Sequence, residues 1–231
     1  MKVSIITIAY NSAETIEDTI KSVVAQDYPD IEYVIIDGGS TDDTLKIVEQ
    51  YKDKISKVIS EPDKGIYDAM NKGVANASGE LIGILNSDDI YADDKVISDI
   101  VSKIGDKDAI YADLVYVKRD ATDEVTRYWK SGAYKKGAFV KGWMPPHPTF
   151  FVRKNCYDQY GTYNVKLKSA ADYECMLRMI HKHQISLAYL PRVITKMRVG
   201  GQSNVTVNNR VKANKEAVSY THLTLPTKVT V

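Results

Sequence analysis

The stretch Val3-Ser4-Ile5-Ile6-Thr7-Ile8-Ala9-Tyr10-Asn11 decides the fold, because a short apolar run passes directly into polar residues. Runs of this kind, rich in Ile and Val, are typical of strands buried on both faces of a sheet. Asn11 or Ser12 then suits the cap of a helix, which continues with apolar residues at helical spacing over 16–24. The chain therefore begins with a predicted strand and a predicted helix.

This alternation continues through the first hundred residues. Apolar runs predict strands over 33–37, 57–60 and 80–85, and helical spacing predicts a helix after each of these strands. The first of these helices is expected to begin with a capping box formed by Ser40 and Asp43. The order predicts an α/β fold, an α/β/α sandwich around a mainly parallel, Rossmann-like sheet, with ligands at the carboxyl ends of the strands.

The pattern changes after about residue 106. A strand is predicted over 109–117, and an irregular segment rich in Gly, Pro and aromatic residues follows over 134–151. A helix is predicted over 170–183. We interpret residues 1–105 as a ligand-binding half and residues 106–218 as a smaller, substrate-specific half of the same domain.

The composition suits a folded domain in a reducing compartment. With 231 residues, 44% of them hydrophobic, the chain can bury a sizeable core without disulfide bonds. Cys156 and Cys175 lack the Cys or His neighbours of a zinc site. No signal peptide is recognised before the first strand, and no apolar run approaches the roughly 20 residues of a membrane span. A cytoplasmic location is predicted, with any membrane contact being peripheral and at the inner face.

The net charge of +1 hides a strong asymmetry. Residues 1–100 hold 9 Lys and Arg against 20 Asp and Glu, whereas residues 101–231 hold 22 against 10. An acidic first half suits cation binding, and a basic second half suits an anionic acceptor or membrane surface. An ordinary solvated surface explains the same counts equally well.

Acidic residues follow two of the predicted strands. Asp37 enters a Gly-Gly turn, where a carboxylate can bind a base or ribose or, alternatively, support the next helix. Asp88 and Asp89 follow the fourth strand, where a divalent cation would relieve the repulsion between adjacent carboxylates. Without a cation they would cap a helix. Neither a G-x-G-x-x-G nor a P-loop sequence occurs, so the usual dinucleotide and triphosphate sites are not supported.

Taken together, these motifs resemble those of family 2 glycosyltransferases, which have the GT-A fold. The resemblance rests on the order and spacing of five segments, namely the first strand to Asn11, Asp37-Gly38-Gly39-Ser40-Thr41-Asp42, Asn71-Lys72-Gly73, Gly79-Glu80 and Asn86-Ser87-Asp88-Asp89. It implies a nucleotide-sugar-binding half over residues 1–105 and an acceptor-binding, catalytic half over residues 106–218.

The resemblance also implies roles for single residues of the first half. Donor binding is expected at Thr7, Tyr10, Asn11, Asp37, Asp63, Lys64, Asn71 and Asp88. Asp89 is expected to hold a divalent cation, Mn²⁺ or Mg²⁺, because all-oxygen ligands suit these hard ions. Ser87 stands at the first position of the family's D-x-D-type motif, which is a common variant.

In the second half, Ala170-Ala171-Asp172-Tyr173-Glu174 resembles the family's Glu-Asp motif. Asp172 is therefore the expected catalytic base, although Ala replaces the Glu before it and Glu174 is a rival. Three further residues lie in segments that resemble the family, and they are expected at the acceptor site or in a loop over the donor: His147, Arg198 and Ser203. For His147 a structural role is an equal alternative.

The implied function is that of an inverting glycosyltransferase in cell-surface polysaccharide biosynthesis. It would use a nucleotide-sugar donor, a UDP-sugar by resemblance, and a glycan or lipid-linked acceptor; no nucleic-acid partner is expected. A sugar nucleotidyltransferase would show a Gly-rich basic loop after the first strand, and this chain has none. A noncatalytic nucleotide- or sugar-binding module, the other alternative, would not need Asp172.

Residues 219–231 break the pattern of the preceding chain and look like translated adapter or vector sequence rather than native protein. We expect deletion of residues 219–231 to leave the melting temperature and turnover unchanged, because a terminus outside the packed pattern tolerates truncation. Thermal unfolding of the full and shortened chains measures this. A clear fall in the melting temperature would show that the segment packs on the domain.

Overall fold

The computed structural model describes residues 1–200, without the side chains of Val140 and Lys141. Its strands are β1 (Val3–Ala9), β2 (Ile31–Asp37), β3 (Lys57–Ser60), β4 (Leu81–Asn86), β5 (Asp89–Tyr91), β6 (Ala109–Val117), β7 (Val125–Trp129), β8 (Phe151–Arg153) and β9 (Leu187–Arg198). Its α-helices are α1 (Ile16–Val24), α2 (Thr44–Glu49), α3 (Ile66–Asn76), α4 (Val96–Ile104), α5 (Lys154–Tyr160) and α6 (Ala171–Met176). A π-helical segment, Leu177–Lys182, continues α6. Short 3₁₀ helices span Lys52–Lys54, Ala138–Lys141 and His147–Thr149.

The strands form one mixed sheet. Its order is β3-β2-β1-β4-β8-β6-β9-β5, and β7 pairs with β6 outside this path. The first four strands of that order are parallel to one another, and β6 is parallel to β9. β8 runs antiparallel to both β4 and β6, and β5 is antiparallel to β9. The predicted α/β class, with a mainly parallel sheet, is confirmed.

Different helices cover the two faces of the sheet. On one face α3 packs on β1 so closely that a Cβ at Gly73 would come within 2.4 Å of Ile6 Cγ2. On the other face Ile5 of β1 packs with Ile20 of α1 and Ile100 of α4. Every residue of β1 is buried. This explains why the first strand is a continuous apolar run and not an alternating one.

The strands predicted in the first half are confirmed, but two predicted helix caps are wrong. α1 begins after Thr15, with a turn over 12–15 in place of a side-chain cap at Asn11 or Ser12. α2 begins after Asp43, and Ser40 instead donates its hydroxyl to Asp37. Serine hydroxyls in turns bond to whichever acceptor the loop brings near, so the helical pattern alone does not identify the cap.

Four strands lie outside the predicted set, each for a local reason. β5 and β8 are only three residues long. β7 is exposed along most of its length and therefore lacks an apolar run. β9 contains Pro191, and its register with β6 shifts there from Leu190 to Val193. Because β5 pairs with β9 at one end of the sheet, the two predicted halves share a single sheet.

None of the helices between residues 1 and 200 combines the length and hydropathy of a membrane span. Cys156 and Cys175 are buried and free. Burial raises the pKa of Cys156 to about 11 and that of Cys175 to about 12, so both side chains are thiols at neutral pH.

A buried glutamate joins β2 to β1 and to the turn before β4. Glu32 accepts hydrogen bonds from Ser4 Oγ at 2.5 Å and from Ser78 N and Oγ at 2.7 Å each, and Lys2 lies 3.7 Å away. Burial alone would raise the pKa of Glu32, but these hydrogen bonds and Lys2 hold it at about 2. The ionised carboxylate therefore stabilises the sheet at the end opposite to the strands' carboxyl ends.

We expect Glu32→Gln to lower the free energy of unfolding at pH 7 by about 1–3 kcal/mol, because an amide cannot replace a carboxylate that accepts three bonds. The folded-state pKa lies below the ordinary 4.5, so this stabilisation is present above pH 4.5 and is lost as the pH falls toward about 2. Urea unfolding from pH 7 to pH 2 measures both effects. Glu49→Gln, at an exposed ion pair with Lys52, is the matched control and should change little. Equal losses in the two variants would contradict the assignment.

Candidate active site

The carboxyl ends of four strands meet at one edge of the sheet. The register aligns Asp37, the last residue of β2, with Ser60 at the end of β3 and Ala9 at the end of β1. Asn86, the last residue of β4, is paired with Ile8. The loops that leave these strands therefore begin side by side, at the edge where the sequence places the ligand site.

Hydrogen bonds join these loops to one another. Ser12 Oγ lies 2.7 Å from the hydroxyl of Ser87 in the turn after β4. Asn11, with a φ of 47°, accepts a bond from Thr41 N at 2.9 Å through Oδ1 and donates its own N–H to Ser40 Oγ at 2.8 Å. The amide oxygen of Asn11 thus stabilises the loop, and its contact with a donor stays a prediction.

Tyr10 and Asp63 both lie beside Gly38. A Cβ at Gly38 would come within 2.4 Å of Asp63 Oδ2 and 3.4 Å of Tyr10 Cδ2, so the absence of a side chain at Gly38 leaves room for the Asp63 carboxylate. The Tyr10 ring is 55% exposed. An exposed aromatic ring next to a carboxylate suits a nucleoside base, which stacks and donates hydrogen bonds. Lys64 is exposed, and its backbone N–H donates to Asp68 at the start of α3.

Asp37 is fully buried beneath this surface. Its carboxylate accepts four hydrogen bonds, from Gly39 N at 3.1 Å, Ser40 N at 3.0 Å, Ser40 Oγ at 2.5 Å and Ser60 Oγ at 2.6 Å. The structure therefore shows Asp37 holding the Gly-Gly turn and linking it to the end of β3. Its predicted contact with a donor stays a prediction.

Two residues predicted to bind the donor are engaged inside the protein instead. Thr7 is fully buried, and its Oγ1 lies 3.1 Å from the hydroxyl of Tyr33. Asn71 uses both ends of its amide on the backbone of Tyr163, donating to its oxygen and accepting from its nitrogen, each at 2.8 Å. Thr7 therefore joins β1 to β2, and Asn71 joins α3 to the segment before α6.

Two acids follow β4: Asp88 is partly buried in the turn, and Asp89 begins β5. Asp89 is fully buried, and Asn86 Nδ2 donates to its Oδ2 at 3.1 Å. Among the described residues, Asp89 Oδ1 and Asn86 Oδ1 have no hydrogen-bond partner. Burial, followed by the charge of Asp88, raises the pKa of Asp89 well above its ordinary value. Burial also raises the pKa of Asp88, against the charges of Arg119 and Arg198.

These oxygen atoms fit a hard divalent cation. Carboxylate and amide oxygens are the ligands that Mg²⁺ and Mn²⁺ prefer, and a cation would compensate the buried charge of Asp89. Over residues 1–200, no three His, Cys, Asp or Glu side chains converge on one point. Asp89 and Asn86 would therefore share the ion with oxygen atoms of a ligand or of water.

Arg198 holds this turn in place from the end of β9. It is 3% exposed, donates to the Asp88 carbonyl oxygen and to the Arg119 carbonyl oxygen at 3.0 Å each, and pairs with the carboxylate of Asp18 in α1. Its predicted role at the acceptor site or in a loop over the donor stays a prediction. Ser203, which was predicted in the same segment, lies outside the described residues.

Asp172 lies near a buried aromatic cluster at the start of α6. Tyr67 of α3 donates its hydroxyl to Asp172 Oδ1 at 3.2 Å. His147 is 9% exposed, with its Nε2 at 2.9 Å from the hydroxyl of Tyr163. Burial lowers the pKa of His147, and the charge of Asp172 acts in the opposite direction. Asp172 therefore lies close enough to His147 for its charge to act on the imidazole ring.

Glu174, the rival base, belongs to a buried ion pair. It is 8% exposed, and its two carboxylate oxygens accept bonds from Arg178 at 2.8 and 3.0 Å. Arg178 also donates to the carbonyl oxygens of Tyr160, Gly161 and Thr162. Both partners are therefore occupied in joining α6 to the loop after α5, which favours Asp172 over Glu174 as a base.

Comparison with known proteins identifies the family. The model of glycosyl transferase family 2 matches residues 4–165. The chain belongs to this family. An uncharacterised glycosyltransferase of Mycobacterium tuberculosis is 34% identical over 178 residues, 76% of this chain and 68% of that protein. A PGL/p-HBAD biosynthesis glycosyltransferase of Mycobacterium bovis is 28% identical over 209 residues, 89% of this chain and 80% of that protein.

Solved structures of glycosyltransferases share the fold. Staphylococcus aureus TarS, crystallised in complex with UDP, superimposes with a TM-score of 0.71 at 21% identity over 99% of this chain and 67% of that chain. The mannosyltransferase PcManGT of Pyrobaculum calidifontis, solved with GDP-Man and Mn²⁺, gives a TM-score of 0.73 at 19% identity over 96% and 63%. The predicted GT-A fold of this family 2 glycosyltransferase is confirmed.

Several residues of the site are absent from the sequence-based prediction. Asn86 ends β4 directly before the family's acidic motif, a position that a strand-end rule would identify. The Ser60 hydroxyl donates a hydrogen bond to the Asp37 carboxylate, and the Ser12 hydroxyl forms a hydrogen bond with that of Ser87. Tyr67 is the least predictable, because it contacts an acid that follows 105 residues later in the sequence.

We expect Asp89→Asn to raise the free energy of unfolding of the metal-free glycosyltransferase by about 1–3 kcal/mol at pH 7, because the amide avoids the cost of burying a carboxyl group that ionises freely in the unfolded chain. Urea unfolding in EDTA measures this, with the exposed substitution Asp53→Asn as the control.

In the same proteins, Mn²⁺ with UDP should raise the melting temperature of the wild type and of Asp53→Asn, but not that of Asp89→Asn. A metal-free variant less stable than the wild type, or one that keeps the full stabilisation by Mn²⁺ and UDP, would contradict the role of Asp89.

Proposed function

We propose that this glycosyltransferase inverts the anomeric configuration as it transfers a sugar from a UDP-sugar to a hydroxyl group of a glycan or lipid-linked acceptor. The observation that carries the proposal is the turn after β4. There a fully buried carboxylate, Asp89, has an oxygen without a partner in the described part of the chain, at the edge where four loops converge. A buried carboxylate oxygen without a hydrogen-bond partner costs free energy, and a ligand that binds this oxygen would explain why the arrangement is maintained.

The donor's nucleoside is assigned to the surface of Tyr10, Gly38 and Asp63, with Asp37 supporting it from below. The exposed Tyr10 ring offers a stacking partner, and Asp63 offers an acceptor for N–H groups. TarS crystallised with UDP and with UDP-GlcNAc supports uridine as the nucleoside. Guanosine is the alternative, because PcManGT was solved with GDP-Man. Binding assays with UDP-sugars and GDP-mannose distinguish the two nucleosides.

The diphosphate is assigned to the turn that contains Asp88 and Asp89. A divalent cation held by Asp89 and Asn86 would supply positive charge to the departing diphosphate. Arg198 keeps the turn in position by binding the Asp88 carbonyl oxygen, and Lys64 at the edge of the donor surface offers a further positive charge. The Mn²⁺ in PcManGT supports a metal-dependent reaction.

Asp172 is assigned as the general base. The acceptor oxygen forms a bond to the anomeric carbon while the bond to the diphosphate breaks on the opposite face, and the acceptor proton passes to the Asp172 carboxylate. This single displacement inverts the anomeric configuration. Glu174 is not assigned this role, because both of its oxygens bind Arg178.

The acceptor is assigned to cell-surface glycan biosynthesis. Relatives support this: the PGL/p-HBAD biosynthesis enzyme, and TuaG of Bacillus subtilis, a putative teichuronic acid biosynthesis glycosyltransferase that is 40% identical over 97 residues, 41% of this chain and 38% of that protein. The excess of basic residues after residue 100 agrees with a lipid-linked, anionic acceptor at the inner face of a membrane. A cytoplasmic location with peripheral membrane contact follows from this assignment.

A panel of UDP-glucose, UDP-galactose, UDP-GlcNAc and GDP-mannose tests the donor. With Mn²⁺, one UDP-sugar should raise the melting temperature and be slowly hydrolysed, and both effects should disappear in EDTA. Binding without hydrolysis in any condition would favour a noncatalytic module. Formation of UDP-sugar from UTP and a sugar phosphate would favour a nucleotidyltransferase.

We expect Asp172→Asn to lower turnover about 10²- to 10⁴-fold while the affinity for the donor is unchanged, because the carboxylate acts only on the acceptor proton. Glu174→Gln should lower the melting temperature through the weakened bond to Arg178 and leave turnover of the folded enzyme largely intact. Steady-state kinetics and donor titration of both variants measure this. Normal turnover in Asp172→Asn with collapse in folded Glu174→Gln would transfer the role of base to Glu174.

A further inference from the structure

Tyr67 connects α3 of the donor half to the assigned base. It is 9% exposed, and its hydroxyl donates to Asp172 Oδ1 at 3.2 Å across 105 residues of sequence. Burial, and then the charge of Asp172, raises the pKa of Tyr67, so the phenol stays protonated at neutral pH. Its hydrogen is therefore available to the carboxylate throughout the working range of the enzyme.

The Tyr67 ring is held by a second layer of side chains. It stacks on the ring of Tyr163, with centroids 6.1 Å apart and an interplanar angle of 16°. The Tyr163 hydroxyl lies 2.9 Å from His147 Nε2 and 3.2 Å from the Tyr157 hydroxyl. Asn71 clamps the backbone of Tyr163 with two bonds of 2.8 Å. The position of Tyr67 is thus set by stacking on a well-anchored Tyr163 ring and by the hydrogen bond of its hydroxyl to Asp172.

Within residues 1–200, the charge of Asp172 also acts on His147, Tyr163 and Cys175, and these three groups are neutral at pH 7. Burial lowers the pKa of His147 and raises that of Tyr163. Burial also raises the pKa of Cys175 to about 12. Because these three groups carry no charge, they do not stabilise the ionised Asp172 carboxylate, whereas the hydrogen bond from Tyr67 does.

We propose that Tyr67 is a positioning residue for Asp172: its hydrogen bond occupies Oδ1, stabilises the ionised carboxylate and leaves Oδ2 to receive the acceptor's proton. The inference rests on the proposed role of Asp172 as the base. If Tyr67 positions Asp172, helix α3 has two roles. It follows Asp63 and Lys64 of the proposed donor surface, and it also orients the carboxylate that activates the acceptor. His147, through its hydrogen bond with Tyr163, supports the ring.

Tyr67→Phe tests the proposal, with Tyr157→Phe as the matched control, because each removes one buried hydroxyl from the same cluster and only Tyr67 contacts Asp172. The assay is metal-dependent turnover of the UDP-sugar that the wild type hydrolyses. We expect Tyr67→Phe to lower kcat by about 10- to 100-fold with the donor KM unchanged. The acidic limb of its pH–turnover profile, where turnover falls as the pH is lowered, should move to higher pH. The reason is that the ionised Asp172 carboxylate loses a hydrogen-bond donor. Tyr157→Phe should have the kcat and the pH–turnover profile of the wild type, and a melting temperature similar to that of Tyr67→Phe.

Incorporation of 3-fluorotyrosine at position 67 supplies a second variant that keeps the ring and strengthens the donor. Its acidic limb should move to lower pH, opposite to that of Tyr67→Phe. An unmoved limb in both variants, or equal losses in Tyr67→Phe and Tyr157→Phe, would overturn the positioning role.

Asp172→Asn separates this failure from failure of the proposed function. If Asp172→Asn is inactive while Tyr67→Phe behaves as the wild type, the base assignment stands and only the positioning role is lost. If Asp172→Asn retains full turnover, Asp172 is not the base and the role of Tyr67 falls with it.

Discussion

The parallel pairing of β1 between β2 and β4 is the constraint on which the rest of the structure depends. β1 is buried along its whole length, so its neighbours must supply every backbone hydrogen bond and its two faces must be covered by helices. The register of these strands places Ala9, Asp37 and Asn86 at one edge. The loops of the candidate site, the acidic turn and their connecting hydrogen bonds all follow from that alignment.

Hydrogen-bond partners, more than burial, distinguish the buried acids from one another. Glu32 and Asp37 accept several hydrogen bonds each, and Glu174 shares both oxygens with Arg178. Asp89 is as deeply buried as Asp37, yet one of its oxygens lacks a partner within residues 1–200. A buried carboxylate oxygen without a hydrogen-bond partner is costly, which is why Asp89, at the convergence of four loops, marks the candidate site.

The second half is attached to the first through the sheet itself. β8 inserts between β4 and β6, and β5 crosses to pair with β9, so Arg198 at the end of β9 reaches the Asp88 carbonyl oxygen. These strands escape prediction because they are short, exposed or interrupted by Pro191. Their conformation is set by pairing with distant segments, and local periodicity carries little information about such pairing.

By itself, the sequence determined the order of the first four strands and of the four helices that follow them, the family, and the placement of acids at strand ends, because burial leaves a local periodic record in the chain. It did not determine which polar group binds which. Thr7 and Asn71 match family positions but are occupied by Tyr33 and Tyr163, and Asn86 and Tyr67 acquire their roles from neighbours elsewhere in the fold. Only the tertiary structure decided these matters, because a hydrogen bond depends on distances of about 3 Å between groups that lie far apart in sequence.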